Sequence, residues 1–339
     1  VTDGEERPID ADGPHGHAPV LVREVRDLLR PVSGESAVDC TAGRGGHSVA
    51  LARAVGPTGR LAVLDVDEGN LAYAAARVVD EAGFAPYAVH ANFAGIARAL
   101  KGIGGPEGFS ADVVLADLGF SSTQMFDPAR GFSFAQDGPL DMRLDPTSGT
   151  TAAMLLRSLP ERELADILFK LGEEPLARVI ARKIVAVRGR EPMESTAQLA
   201  RLVREAYGPR ARRSRLHPAT RTFMALRIAV NDELGALRSL LEAVQSAAHA
   251  VADGATSWLR AHARVGIITF HSLEDRLVKH SFAELVRARV AAPLTRKPVV
   301  ASDGEIAANP KARSAKFRVI QIAMVGGLST PEVGFESEV

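Results

Sequence analysis

The stretch VDCTAGRGGHSVALA (38–52) runs from apolar residues into Asp39, through a glycine-rich turn, and into an alanine-rich segment with helical spacing. Gly43, Gly45 and Gly46 let a backbone turn sharply and approach a ligand, and the helix start that follows offers free N–H groups. The pattern is neither of two familiar phosphate loops. The dinucleotide fingerprint needs a glycine where Ser48 stands, and the Gly-Lys-Ser/Thr ending of a nucleotide-triphosphate loop is absent. The glycines alone also leave a plain strand-to-helix turn open. Asp65, at the end of RLAVLDVD (60–67), adds a carboxylate that can accept both hydroxyls of a ribose, which suits NAD and S-adenosylmethionine alike. Asp117, in ADVVLADLGFSS, separates the two. A Gly and two Ser follow it, with no hydride-transfer machinery, and an acceptor there suits a substrate bearing N–H groups. The lone pair of a nucleobase's exocyclic amine is delocalised into its ring. Holding the amine hydrogens against a carboxylate localises that pair and aims it at a methyl on sulfur, which is positioning and electrostatics without a metal.

These residues need a frame that gathers strand ends. Short apolar strands at 36–40, 60–67, 86–92 and 111–119 alternate with helical patterns near 46–55, 68–82 and 93–102. Such alternation predicts right-handed crossovers and an α/β fold with a mostly parallel, Rossmann-like sheet, whose ligands sit at the carboxyl ends of the strands. The next strand, ARVGIITF (263–270), comes too late for a simple crossover. A turn-rich segment at 127–149 and helical patterns near 151–158, 161–171, 173–188 and 195–207 intervene, followed by one long pattern from about Ala219 to Ala252. The reading is a core domain over 17–122 and 217–325 with a helical insertion at 123–216 for substrate recognition. KFRVIQIAMV (316–325) adds a final edge strand, and 1–16 and 326–339 are tails.

Composition bounds the partners. Among 339 residues, 41 Lys plus Arg balance 41 Asp plus Glu, so no global positive field announces a nucleic acid and any such contact must be local. A single cysteine, Cys40, excludes an intramolecular disulfide and a cysteine-rich zinc site, which fits a reducing, cytoplasmic setting. No apolar run reaches the roughly 18 residues of a membrane span. Oligomeric state is open between monomer and homodimer.

Eight stretches together carry a resemblance: HAPVL (17–21), D-x-T-x-G-R-G-G-H-S (39–48), DLGFSSTQ (117–124), RGFSFAQDGPLDMRLDP (130–146), GEEPLARVIARKIV (172–185), HPATRTFMALRIAVNDEL (217–234), FHSLEDRLVK (270–279) and NPKARSAKFRV (309–319). In this order they resemble the MraW-type ribosomal RNA methyltransferases, from His17 to Val319. The resemblance implies a class I S-adenosyl-L-methionine-dependent methyltransferase acting on N4 of a decoding-site cytosine in 16S rRNA, with the small ribosomal subunit as partner. It also implies cofactor contacts at Gly45, Gly46, His47, Asp65, Phe93, Asp117 and Gln124. The sequence departs from the family pattern at Val66, Glu68 and Thr123, and in GATSWLRAHAR before the fifth strand. None of these removes a group the chemistry needs.

Other candidates carry two readings each. His271 can stack on or hydrogen-bond the target base, while Ser272 and Asp275 can form a cap for the next helix. A metal site from His271, Glu274 and Asp275 lacks helical ligand spacing. Asp141 can accept from the cytosine amine and Arg143 can hold a phosphate or stack on a base, or the two can pair within a structural turn. Arg204, Arg210, Arg212, Arg213, Arg215, His217 and Arg221 form a basic cluster, read as an RNA backbone contact, and Lys311 to Arg318 form a second basic run. Methylation at cytosine C5 needs a thiolate at the fourth strand, where there is none. The competing class is a non-catalytic ribosome-assembly or RNA-binding factor that retains the fold.

Overall fold

The computed structural model describes residues 19–105, 108–213 and 217–324. The described residues form two compact units, one made of residues 19–119 with 236–324 and one of Phe120–Gly235.

The first unit begins with α1 (Val22–Leu29), β1 (Ser36–Asp39), α2 (Gly46–Val55), β2 (Arg60–Asp65), α3 (Glu68–Ala82), β3 (Tyr87–His90), α4 (Ile96–Lys101) and β4 (Ala111–Asp117). The second unit holds α5 (Ser122–Phe126), α6 (Ala152–Ser158), α7 (Glu161–Gly172), α8 (Ala177–Arg188), α9 (Thr196–Tyr207) and α10 (Ala219–Asn231). The chain continues with α11 (Glu233–Ala252), β5 (Leu259–Thr269), α12 (Ser272–Arg287), β6 (Ala291–Pro293), α13 (Asp303–Ala308) and β7 (Lys316–Ile322).

The seven strands form one sheet in the order β3-β2-β1-β4-β5-β7-β6. Pairings from β3 to β5 are parallel, and β7 runs antiparallel to both β5 and β6. Successive side chains on a strand point to opposite faces, and here both faces are covered. Val113 and Leu115 pack with Val49, Leu51 and Val55 of α2 and Val78 of α3, whereas Val114 and Ala116 pack with Ile96 of α4, Leu240 and Val244 of α11, and Phe282 of α12. This two-sided burial is why β1, β2 and β4 read as continuous apolar runs rather than alternating ones, whereas the edge strand β3 is largely exposed. The chain order reverses between β1 and β4, which makes the carboxyl ends of those two strands the ligand crevice of such a sheet.

Several features differ from the sequence reading. KFRVIQIAMV supplies β7, which is an inner strand; the edge is the three-residue β6, which carries no periodic signal. β5 begins at Leu259 because a bulge, with His262 at φ 64, absorbs the register shift opposite Ala111–Val113. The long pattern from Ala219 breaks at Asp232, which adopts φ 45. α10 therefore clusters with the insertion, so the contact boundary falls at 120–235 rather than 123–216. Gly266 on β5 has a packing reason, since a Cβ there would lie 2.6 Å from the Phe317 ring on β7. Residues 1–16, His17 and 326–339 lie outside the described residues. Among the described residues, no helix is long and apolar enough to cross a membrane.

Candidate active site

At the end of β1 the chain forks between its two neighbours. Cys40 N donates to Leu115 O on β4 (2.8 Å) and Ala42 N to Leu64 O on β2 (2.8 Å), which opens the crevice directly above Asp39. Gly43 and Gly45 then take φ 50 and φ 77, the left-handed region that favours glycine. Gly45 is also tight, with a Cβ placed there 3.0 Å from Ala74 Cα, while a Cβ on Gly46 would lie 2.7 Å from Pro19 Cγ. Gly46 thus has a packing reason of its own beside the expected ligand approach.

Three strand-end carboxylates surround this turn. Asp39 is fully buried and accepts from Ser48 Oγ (2.6 Å) and Thr41 N (3.1 Å), tying the turn to the first residues of α2. Burial pushes its carboxyl above the ordinary value, against the pull of Ser48, His47 and Thr41. Asp65 accepts from Gly43 N (2.8 Å) on one oxygen and Asp67 N (2.8 Å) on the other. Burial raises it to about 6 despite those bonds, with Asp67 and Asp39 adding to the rise. Asp117 is anchored through its backbone, whose N–H donates to Thr41 Oγ1 (2.7 Å). Its Oδ2 lies 3.5 Å from His47 Nε2. His47 is 5% exposed. Burial works against charging its ring, but Asp117 and then Asp39 outweigh that and hold the imidazole above its ordinary value. Both ring nitrogens of His47 and Asp117 Oδ1 are buried without a hydrogen-bond partner among the described residues.

Buried polar atoms left without partners cost about 1–3 kcal/mol each, so a histidine and a carboxylate left in this state 3.5 Å apart at the strand ends point to groups kept for a ligand. Asp39, Asp65 and Asp117 at these strand ends outnumber the cationic groups His47 and Lys311 that interact with them, which leaves an acidic balance. An acidic balance suits a sulfonium cation better than a pyrophosphate. The aromatic element is present as well. Phe93 follows β3 in a short 3-10 turn capped by Asn92 and leans, half-buried, on the core that includes Val38, Leu64 and Ile96.

The remaining expected residues lie in other settings. His271 is the N-cap of α12. Its Nε2 is 3.0 Å from Glu274 Oε1, and Glu274 Oε2 accepts from Phe270 N (2.8 Å) and His271 N (3.3 Å). The cap is thus built by His271 and Glu274 rather than by Ser272 and Asp275. Asp275 instead binds Arg318 Nε (2.7 Å) and Lys316 Nζ (3.2 Å), which together hold its carboxyl below the ordinary range against burial.

In the second unit, Gln124 closes a capping box on α5, its Oε1 accepting from Ser121 N (2.9 Å) and its own N–H donating to Ser121 Oγ (3.3 Å). Asp141 and Arg143 bind one another through two parallel bonds, Nε to Oδ1 (2.8 Å) and Nη2 to Oδ2 (2.7 Å), across Met142 at φ 62. Asn231 clamps that loop, accepting from Leu144 N (2.7 Å) and donating to Met142 O (2.8 Å). Arg204, Arg210 and Arg212 are exposed at the end of α9 and the turn after it. Arg221 donates to Glu173 O (3.1 Å). The Arg213 side chain and all of Arg215 lie outside the described residues.

Asp39, Thr41 and Ser48 are the residues that single-site reading passes over. Their signal was D-x-T followed by Ser nine residues after the Asp, a spacing that lets one buried carboxylate hold both a turn and a helix start.

A family model described as the MraW methylase family matches residues 14–323. The chain belongs to that family. Ribosomal RNA small subunit methyltransferase H of Symbiobacterium thermophilum is 42% identical over 90% of this chain and 96% of its own. The protein of the same name from Anaeromyxobacter sp. strain K is 44% identical over 90% and 97%. An rRNA methylase of Streptococcus thermophilus of known structure is a much looser match, at 10% identity and a TM-score of 0.38 over 89% of this chain and 95% of its own. As a MraW-family member the protein is a methyltransferase that uses S-adenosylmethionine, the cofactor that the negative crevice of its first unit fits.

Proposed function

We propose that this protein methylates N4 of a cytosine in small-subunit ribosomal RNA, at the decoding site. The observation that carries the reading is Asp117, a carboxylate at the carboxyl end of β4, at the switch point of the sheet, with Oδ1 buried and unpartnered. The relatives' name supports ribosomal RNA of the small subunit as the substrate. The N4 target and its position in the decoding site are what the resemblance of the eight stretches to the MraW-type enzymes implies.

When bound, the cofactor supplies an electrophilic methyl on a positively charged sulfur. The protein's residues do the rest. Asp117 accepts a hydrogen bond from the exocyclic amine, holds its lone pair out of conjugation with the ring, and takes the proton released when nitrogen gains the methyl. Thr41 fixes the Asp117 backbone, and His47 stands behind the carboxylate. Gly45, Gly46 and His47 border the end of the crevice where the glycine turn passes, Asp65 offers its remaining lone pairs to hydroxyls, and Phe93 gives an aromatic wall. In the insertion, Arg204, Arg210 and Arg212 offer an exposed basic face to the RNA backbone, and Arg213, Arg215 and Arg221 continue the same basic stretch in the sequence. Gln124, Asp141 and Arg143 fix the local structure around them. Asp141 and Arg143 are offered also to the cytosine amine and the RNA. His271, with both ring nitrogens buried and without a hydrogen-bond partner among the described residues, is offered to the target base.

The deciding experiment is transfer of radiolabelled methyl to small ribosomal subunits from cells lacking this enzyme, with nucleoside analysis of the product. Label recovered as N4-methylcytidine is the expected result. Label in another nucleoside, or none with cofactor binding intact, overturns the proposal.

A further inference from the structure

The basic run at 311–318 is not one surface. Lys316 and Arg318 are spent on Asp275, and Arg313 is exposed. Lys311 is different, and the topology explains where it lies. Because β7 is antiparallel to β5, it starts at the end of the sheet where the parallel strands finish. Lys316 pairs with Thr269 and Phe317 with Ile268, and Ile268 is in turn the partner of Asp117 on β4. The residues just before β7 are therefore delivered to the carboxyl ends of the strands. They are held there firmly: Ala312 and Ala315 are buried in the same core as Phe317 and Leu115, and Asn309 Oδ1 accepts from Lys311 N (3.3 Å). Lys311 is half-buried and within electrostatic reach of Asp117.

We propose that Lys311 is a positioning residue for Asp117, its ammonium group orienting the carboxylate from the β7 side of the sheet as His47 does from α2. The proposal rests on the reading of Asp117 as the acceptor of the amine proton. Among the described residues, the charged groups that interact with Asp117 include His47, Asp39 and Lys311. Burial lowers the Lys311 amine to about 8, and Asp117 works in the opposite sense. Such a lysine loses its charge within a pH range where the enzyme can be assayed.

Three measurements on the full chain test this. First, competitive labelling with acetic anhydride, read on the Lys311 peptide by mass spectrometry, follows the titration of the amine without using turnover. In Asp117→Asn the midpoint should move down and labelling at neutral pH should quicken, because the charge that favoured the ammonium form is gone. An unchanged midpoint overturns the coupling. Second, Lys311→Met should lower kcat about 10-fold or more on small subunits while KM for the subunit and the melting temperature stay put. A raised KM and altered salt dependence with kcat intact would make Lys311 an RNA contact instead. Third, Lys311→Arg should restore kcat and remove the loss of activity near pH 8, because arginine keeps its charge there. The same alkaline fall in Lys311→Arg and wild type overturns the proposal. Full turnover in Asp117→Asn would overturn the reading of Asp117 itself, and the labelling result separates that failure from failure of the coupling.

Discussion

The crevice of the first unit and the DGPLDMRLDP loop of the second are both rich in ionisable groups, and they treat them in opposite ways. In the loop Asp141 meets Arg143 through two bonds and Asp145 accepts from Thr147 and Ser148, and elsewhere in the second unit Arg227 of α10 is bound to Glu233 through two bonds of 2.8 Å. In the crevice Asp39, Asp65 and Asp117 crowd around one histidine, and polar atoms of His47 and Asp117 are left buried without partners. Matched charges build shape; unmatched ones cost stability and are kept for a ligand. The same residue types therefore carry structure in one place and chemistry in the other.

The sharpest test of the contrast is a pair of substitutions. Asp117→Asn should cost about 10²-fold or more in turnover, measured on small subunits, because a general base is lost. It should leave urea stability unchanged or slightly raised. Arg143→Met should do the reverse in stability, losing about 1–3 kcal/mol in urea unfolding as the half-buried Asp141 is stripped of its partner. Equal stability losses in the two would erase the distinction.

A smaller effect comes from pH. Asp65 titrates at about 6 in the folded protein against an ordinary 3.8, so the folded state holds this proton more tightly than the unfolded chain. Its contribution favours folding fully below 3.8 and is lost as pH rises through about 6. Binding of the cationic cofactor should strengthen over the same window as the carboxylate charges. Asp65→Asn should flatten both trends, read as melting temperature and as calorimetric affinity against pH. A slope identical to wild type would remove Asp65 from the negative crevice. The smallest effect is expected outside both regions: replacing Arg204, Arg210 and Arg212 by Ala should weaken subunit binding modestly and flatten its dependence on salt. An unchanged slope would make that face merely solvated.

Much of the first unit was legible in the sequence because its physics is local. Strands buried on both faces read as unbroken apolar runs, and Asp65 and Asp117 stand where those runs stop. What escaped was decided by residues far apart in the chain. β6 is too short to show a period, and β7 takes an inner place with Phe317 packed over Gly266 of β5, a contact between residues 51 apart in the chain. Asp232 breaks a helix whose apolar spacing continues on both sides. In the site, the glycine turn was visible, but the bond from Asp117 N to Thr41, 76 residues away, was not. The pairing of Asp141 with Arg143 was one of two open readings, and only the backbone turn at Met142 favours it.

The antiparallel entry of β7 also has a consequence for how the chain is made. β5 is flanked by β4 and β7, and Phe317, fully buried, fills the space above Gly266. A nascent chain that has emerged only as far as β5 presents an open strand edge and an unfilled core, however complete its glycine turn and Asp117 already are. The sheet closes only after residue 322 has left the ribosomal tunnel, so a product cut short before β7 is recognisable by its sticky edge rather than by a missing catalytic group. Translation thus finishes the fold and the active-site surround in the same few residues.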